Sequence, residues 1–488
     1  MSAERTTLAA AMMNDGVTAF RTSVRGAARG PLCGMGICFE CRVSASGAPH
    51  ERSCLMPRAA GDSPRAEARS LECDVAVVGA GPAGLAAAAR AAEAGKQVVM
   101  VDASPAPGGQ IWRQGDGAAA PRAARAWLAR IVRPNVRVLQ HAEVIDAPSA
   151  TTLLVATGDD TVRVHARAIV LATGARELFL PFPGWTLPNV LGVGGVQALA
   201  KNGLDVRGKR VVIAGSGPLL LPVAAYLASH GARLAIVAEQ ARPEMVRAFA
   251  ISLWKDPARA AMAARMRAAF LRTPYRAGVW VSRADGDDRV REVTLTDGER
   301  SWREPCDLLA CAFGLIPNTE LARLMGAQVK RDGIVADGSQ RTTVPGVYAA
   351  GECTGVGGAP LAIAEGEIAG LAAAGVTSAP SELLARRARE RAFAVRVDST
   401  FLLRGSLSTL AAPDTILCRC EDVTVGEVSA AESSREAKLR TRAGMGACQG
   451  RVCGAAMEYL FHWKPAEPRA PLFPASVGAL AARDERAR

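Results

Sequence analysis

Aromatic side chains make up only 5% of the 488 residues, and histidine occurs 5 times. His50, His141, His165, His230 and His462 form no motif, so no histidine is read as a catalytic base and no catalytic residue is assigned. No stretch approaches the roughly 18 uninterrupted apolar residues that a spanning helix needs. The opening MSAERTTLAA has no apolar core followed by a small-residue cleavage site, so no secretory signal is expected. The expected location is therefore cytoplasmic, with at most peripheral contact at the inner face of the cell membrane. The formal net charge is +12, but no basic tract interleaves with aromatics, which argues against nucleic acid. The charge fits a soluble basic protein or a docking surface for an acidic partner or anionic lipid.

Glycine (48 residues) and alanine are plentiful, as in tightly packed α/β layers with close helix–strand approaches. There are 12 cysteines, and eight fall into two groups at opposite ends of the chain. In a reducing compartment, grouped cysteines read as metal ligands or redox thiols rather than structural disulfides. The length suits about three domains.

The segment CDVAVVGAGPAGLAAAARAAEAGKQVVMVDA reads as strand, glycine turn, helix and second strand. Gly79, Gly81 and Gly84 make GxGxxG, with Pro82 and Ala83 between them. The first glycine permits the tight turn, the second lets backbone approach a pyrophosphate, and the third lets the helix pack on the strand. The helix start then offers free N–H groups and a positive dipole end. Asp102 closes the second strand, where an acid can accept hydrogen bonds from a ribose. Gly108, Gly109 and Gln110 follow. AIVLATGA contains Ala172, Thr173 and Gly174, and TTVPGVYAAGECTG contains Gly351 and Glu352. Together these motifs resemble the flavoproteins built from two dinucleotide-binding domains, which include thioredoxin reductases and ferredoxin reductases. The resemblance implies FAD here, with Glu352 on the ribityl chain, where the family more often has Asp, and Val144 as a further cofactor contact. The redox CxxC of thioredoxin reductases is absent from this region. Cys306, Cys311 and Cys353 read as structural.

A second strand–turn–helix unit, KRVVIAGSGPLLLPVAAYLASHGARLAIVAE, keeps Gly215 and Gly217 but has Leu220 at the third glycine position and Pro222 in the helix's first turns. A leucine there should push the helix off the strand and crowd a pyrophosphate. Glu239 would otherwise suit an NAD ribose. The expectation is a retained fold with weakened or lost NAD binding.

Cys33, Cys38, Cys41 and Cys54 have the C-x4-C-x2-C plus distant cysteine spacing of a plant-type 2Fe-2S site. Gly34 and Gly36 would let the loop wrap closely and aim N–H groups at sulfur. The helix-like TTLAAAMMNDG starts almost at Met1, so the usual preceding hairpin is missing and this small domain should lean on its neighbours. Cys418, Cys420, Cys448 and Cys453 form C-x-C…C-x4-C, which resembles the 2Fe-2S domain of bacterioferritin-associated ferredoxins; a helix starting near Cys453 would point its N–H groups at the cluster. Zinc is the competing occupant of both sites.

The whole arrangement resembles the α (large) subunits of hydrogen cyanide synthase, octopine and nopaline oxidases, and D-hydroxyproline and dye-linked L-proline dehydrogenases, and more distantly that of heterotetrameric sarcosine oxidase. The fold class expected is α/β. Two Rossmann-like domains of the disulfide-reductase type are flanked by an N-terminal ferredoxin-like domain and a small helical C-terminal 2Fe-2S domain. The domain boundaries read as 1–65 for the first cluster domain, 71–190 with 301–375 for the FAD domain, and 191–300 for the degenerate NAD-like domain. A helical linker at 376–412, the second cluster domain at 413–465 and a tail at 466–488 complete the chain. The resemblance implies an electron-transfer subunit with FAD (ATP in some relatives), two 2Fe-2S clusters and FMN at a subunit interface. It also implies a flavin-containing, amino-acid-oxidase-like β subunit that oxidises an amine or imino acid, and a quinone or other acceptor. The alternative is a stand-alone NAD(P)H-dependent reductase feeding its own clusters.

Overall fold

The computed structural model describes residues 6–45, 48–58, 70–113, 121–158, 160–330, 333–464 and 466–484. The stretch GDSPRAEARS at 61–70, whose composition reads as a linker, lies outside these residues except for Ser70.

The run Ser70–Val78 forms the central strand of a seven-stranded sheet because its second half is buried on both faces, as in a parallel sheet covered by helices. Val98–Val101 and Val136–Leu139 extend the sheet in parallel on one side. On the other side lies Asp160–Leu171, which also pairs with Thr152–Thr157 and, further along, with Val347–Ala349. The pairing of Val347–Ala349 with residues 169–171 returns the chain to the first unit, bringing Gly351 to the end of the sheet. Helix Pro82–Glu93 covers one face, with Pro at its first position, where a missing N–H costs nothing. Helix Gly358–Ala373 lies on top of it. Gly366 and Gly370 make this approach possible: a Cβ on either would fall 2.1 and 2.2 Å from the carbonyls of Ala83 and Ala87.

The second unit is a five-stranded parallel sheet in the order Val190–Leu191, Leu308–Ala312, Arg210–Gly215, Arg233–Glu239, Tyr275–Ala277. An antiparallel meander of Trp280–Asp285, Glu292–Thr296 and Ser301–Pro305 adjoins it. The strand Leu308–Ala312 thus belongs to the second sheet, although the sequence boundary at residue 301 assigned it to the first unit. Its five residues, LLACA, are all buried, and such a run fits the centre of either sheet.

Among its described residues, the N-terminal domain has helix Leu8–Asn14, capped by the Thr7 hydroxyl, and short paired strands. It does lean on its neighbours. A Cβ on Gly34 would sit 2.7 Å from the carbonyl of Gly195 in helix Val193–Lys201, and Thr7 N–H donates to the Asn202 carbonyl. At the other end of the chain, the segment read as a tail folds back on the first sheet. Leu472 N–H donates to the Ile145 carbonyl, and the Thr161 hydroxyl donates to the Ala479 carbonyl.

Candidate functional site

Gly79 ends the first strand at a φ of +104°, and a Cβ there would strike the Ala172 carbonyl at 2.3 Å. The helix begins three residues later, with Gly84 so close that a Cβ would lie 1.8 Å from the Gly79 carbonyl oxygen. Gly109 lies across the turn from Gly81. Asp102 accepts from the backbone N–H of Ala80 at 2.5 Å and of Ser104 at 2.7 Å, which fixes its carboxylate at the mouth of the turn.

A cavity of about 200 Å³ opens here. Gly79, Asp102, Gln110, Val144 and Thr173 line it together. Pro82, Ala83 and Gly84 form the helix start beneath it, and Ala172 and Gly174 flank Thr173. Asn318 is locked to Thr173 by two hydrogen bonds, from the Thr173 hydroxyl to its carbonyl (2.7 Å) and from its own amide to the Thr173 carbonyl (2.8 Å). Gly351 and Glu352 are not on the cavity wall. Gly351 packs against Ala83, and Glu352 takes the Gly358 N–H while burial holds its carboxyl above the usual range.

Motifs did not reveal the rest of the lining. Met35, Gly36 and Ile37 come from the loop between Cys33 and Cys38, and Arg451 from the loop between Cys448 and Cys453. Arg451 is buried: it donates to the carbonyls of Cys448 (3.3 Å) and Leu472 (2.7 Å), and its guanidinium lies 3.9 Å from the Phe473 ring centroid. Both cysteine loops therefore meet the same nucleotide cavity. Arg113 ties the nucleotide unit to the first loop, donating from Nη1 to the Gly34 carbonyl at 3.1 Å, while its buried Nη2 has no partner. No sequence signal marks these residues, because only the tertiary fold brings them to the cavity.

All eight candidate ligands are buried. In the first group the sulfurs meet in pairs, Cys33 with Cys38 and Cys41 with Cys54. Cys33 Sγ accepts from the N–H groups of Met35 and Cys38, and Cys38 Sγ from that of Glu40, each at 3.4 Å. Burial opposes ionisation of Cys33, but the Cys38 thiol and these backbone donors outweigh it and hold the thiol below its ordinary range. In the second group, Cys418 contacts Cys420 and Cys453, and Cys420 lies 3.5 Å from Cys448. Helix Cys453–Phe461 starts at the last ligand, and Gly446 leaves room for Cys420, whose Cβ lies 2.1 Å from where a Cβ on Gly446 would be. Among the described residues, no three His, Cys, Asp or Glu side chains converge as a single-ion site. The first group's pair-and-pair arrangement, with N–H donors on sulfur, fits a two-iron cluster bound by two thiolates per iron. Cys306, Cys311 and Cys353 lie outside both groups. Cys353 donates to the carbonyls of Leu171 and Ala350 at 3.3 Å, a packing role.

At the second dinucleotide turn the helix starts only at Leu220, three residues after Gly217, and Leu220 is buried. The space over the turn is taken by the chain itself. The Ser216 hydroxyl donates to the Phe401 carbonyl (3.0 Å), the Gln240 amide to the Leu402 carbonyl (3.1 Å), and Arg404 N–H to Gln240 Oε1 (3.2 Å). Glu239 is fully buried. Its two oxygens accept the N–H groups of Gly217 and Ala241, each at 2.8 Å, and burial lifts its carboxyl to about 7.

Residues 73–366 match the pyridine nucleotide-disulphide oxidoreductase family, and residues 2–68 match a 2Fe-2S iron-sulfur cluster binding domain. An opine oxidase subunit of Rhizobium meliloti (strain 1021) is 32% identical over 79% of this chain and 92% of its own. The hydrogen cyanide synthase subunit HcnB of Pseudomonas protegens is 30% identical over 77% of this chain and 90% of its own. In fold, the chain is similar to L-proline dehydrogenase from P. horikoshii, with TM-score 0.71 and 18% identity over 98% of this chain and 94% of that one. Among the described residues no helix is long and apolar enough to cross a membrane. With its two dinucleotide-type units and an N-terminal iron–sulfur domain, the chain is an oxidoreductase that belongs to the pyridine nucleotide-disulphide oxidoreductase family, in the group that holds these opine oxidase and hydrogen cyanide synthase subunits.

Proposed function

We propose that this chain is the electron-transfer subunit of a heteromeric amine or imino-acid dehydrogenase on the cytoplasmic side of the cell. A partner subunit of the amino-acid-oxidase type, with its own flavin, oxidises a substrate of the opine, hydroxyproline, proline or glycine class. The Gly79–Gly84 turn would hold FAD, an FMN would be bound at the subunit interface, and Cys33, Cys38, Cys41 and Cys54, like Cys418, Cys420, Cys448 and Cys453, would each hold a 2Fe-2S cluster supplying one-electron transfer. The final acceptor is a quinone or another carrier. When bound, the flavin supplies the conversion between two-electron and one-electron transfer.

The observation that carries this reading is the shared cavity. Loops from both cysteine groups line the space beside the dinucleotide turn, which suits a redox cofactor in electronic contact with the cysteine sites. The second turn is covered by residues 401–404, which disfavours a reductase driven by NAD(P)H. The names of the relatives, each a subunit of a larger enzyme, support a partner. The test is co-expression with a candidate amino-acid-oxidase-like subunit, co-purification, and screening of amino and imino acids with a dye acceptor. A complex that reduces dye with one of these substrates, and is not bleached anaerobically by NADH, is expected. Rapid flavin bleaching by NADH in the isolated chain would overturn the reading.

A further inference from the structure

The two cysteine groups do more than face a common cavity. Glu40 stands between ligands Cys38 and Cys41, and Arg419 between Cys418 and Cys420. These two side chains form an ion pair, Arg419 Nε to Glu40 Oε2, at 3.1 Å, with side chains only 1% exposed. Arg21 closes the junction from the side, donating to Glu40 Oε1 at 2.7 Å and to the Arg419 carbonyl at 3.1 Å. The Arg419 guanidinium also reaches the Trp185 carbonyl at 3.3 Å, and its Nη2 is buried without a partner. A second buried pair, Arg29 with Asp422 at 2.5 Å, holds the same two domains together beside it. Cys33, Cys38, Cys418, Cys420, Cys448 and Cys453 share one continuous core.

Buried ion pairs are poor devices for stability, since apolar residues of similar volume often serve as well. What a charge in this position does do is act, through a low-dielectric interior, on every redox group nearby. The Glu40 carboxylate lies one residue from Cys41 and two from Cys38, and its partner Arg419 lies one residue from both Cys418 and Cys420.

We propose that the clusters held by the two cysteine groups exchange electrons directly with each other, and that the Glu40–Arg419 pair positions this contact and sets both potentials together. This rests on the two-cluster reading above. In the step, one electron leaves a reduced cluster and enters its oxidised neighbour; no bond forms or breaks and no proton moves. The electrons come from the flavin of this chain, so the flavin need not serve each cluster separately. Glu40 and Arg419 are positioning residues.

The test is electron paramagnetic resonance of the reduced holoprotein, with a redox titration of each signal. In the wild type, two cluster signals are expected that broaden or split each other and relax faster when both clusters are reduced than when only one is. Glu40→Gln removes a negative charge shared by the two sites and should move both midpoint potentials upward; Arg419→Gln should move both downward. Two independent signals in the wild type, or a shift confined to one cluster, would overturn the proposal. If either variant fails to assemble, the wild-type spin interaction decides alone. A single cluster signal in the wild type would sink the two-cluster reading, and this proposal with it.

Discussion

Gly84→Ala offers the most direct probe of the nucleotide turn. The added Cβ would lie 1.8 Å from the Gly79 carbonyl oxygen and 2.9 Å from its carbon, against 3.4–4 Å for ordinary contact. Both obstacles are backbone, so no side-chain rotation relieves them. Either the turn opens or the helix Pro82–Glu93 shifts outward, and it is held from above by Gly366 and Gly370 on Ala83 and Ala87. Overpacking of this kind costs about 1–3 kcal/mol. If the helix yields, that energy is lost from cofactor affinity, a weakening of roughly 5- to 150-fold. The assay is flavin content after desalting, read beside the cluster signals. Gly338→Ala, where a Cβ meets nothing within 4 Å, is the control. The expected outcome is flavin loss with both cluster signals kept. Stoichiometric flavin in Gly84→Ala, with an unchanged dissociation constant, would refute the placement of the cofactor over this turn.

Cys448→Ser should abolish one of two distinct cluster signals; persistence of both would remove the C-terminal ligand assignment. Asp422→Asn leaves Arg29 buried without its counter-charge and should destabilise the chain by about 3–5 kcal/mol, read as a lower urea midpoint. Glu239 holds its proton more tightly folded than unfolded, because burial lifts its carboxyl from 4.5 to about 7. Its contribution to stability is therefore complete below about pH 4.5 and is lost as pH rises through about 7. The difference in urea midpoint between wild type and Glu239→Gln should vary between pH 5 and 7.5 and level off above; a flat difference would contradict this.

The sequence displayed those features whose chemistry requires a fixed spacing. GxGxxG with its acid at Asp102, the paired cysteines and the leucine at position 220 are local, so a linear reading picks them out. What escaped is whatever depends on two distant segments meeting. Arg451, Met35 and Ile37 reach the cavity only because both terminal domains fold onto the first unit. Glu40 and Arg419 are an ordinary acid and base in sequence, 379 positions apart, and become partners only in the folded chain. The tail follows the same logic: nothing local in its sequence shows that Leu472 N–H donates to the Ile145 carbonyl and lines the cavity. The boundary at residue 301 failed because a five-residue apolar strand suits either sheet.

The backbone lying across the second dinucleotide turn has a consequence for how this protein could be re-engineered. Restoring glycine at position 220 would not by itself recreate a nicotinamide site, since Phe401 and Leu402 would still bridge to Ser216 and Gln240. Those residues end the long helix Ser381–Thr400, which shares contacts with the helix roofing the first turn, so clearing one site means loosening the lid of the other. The second dinucleotide-type fold thus also braces the helix that covers the first turn.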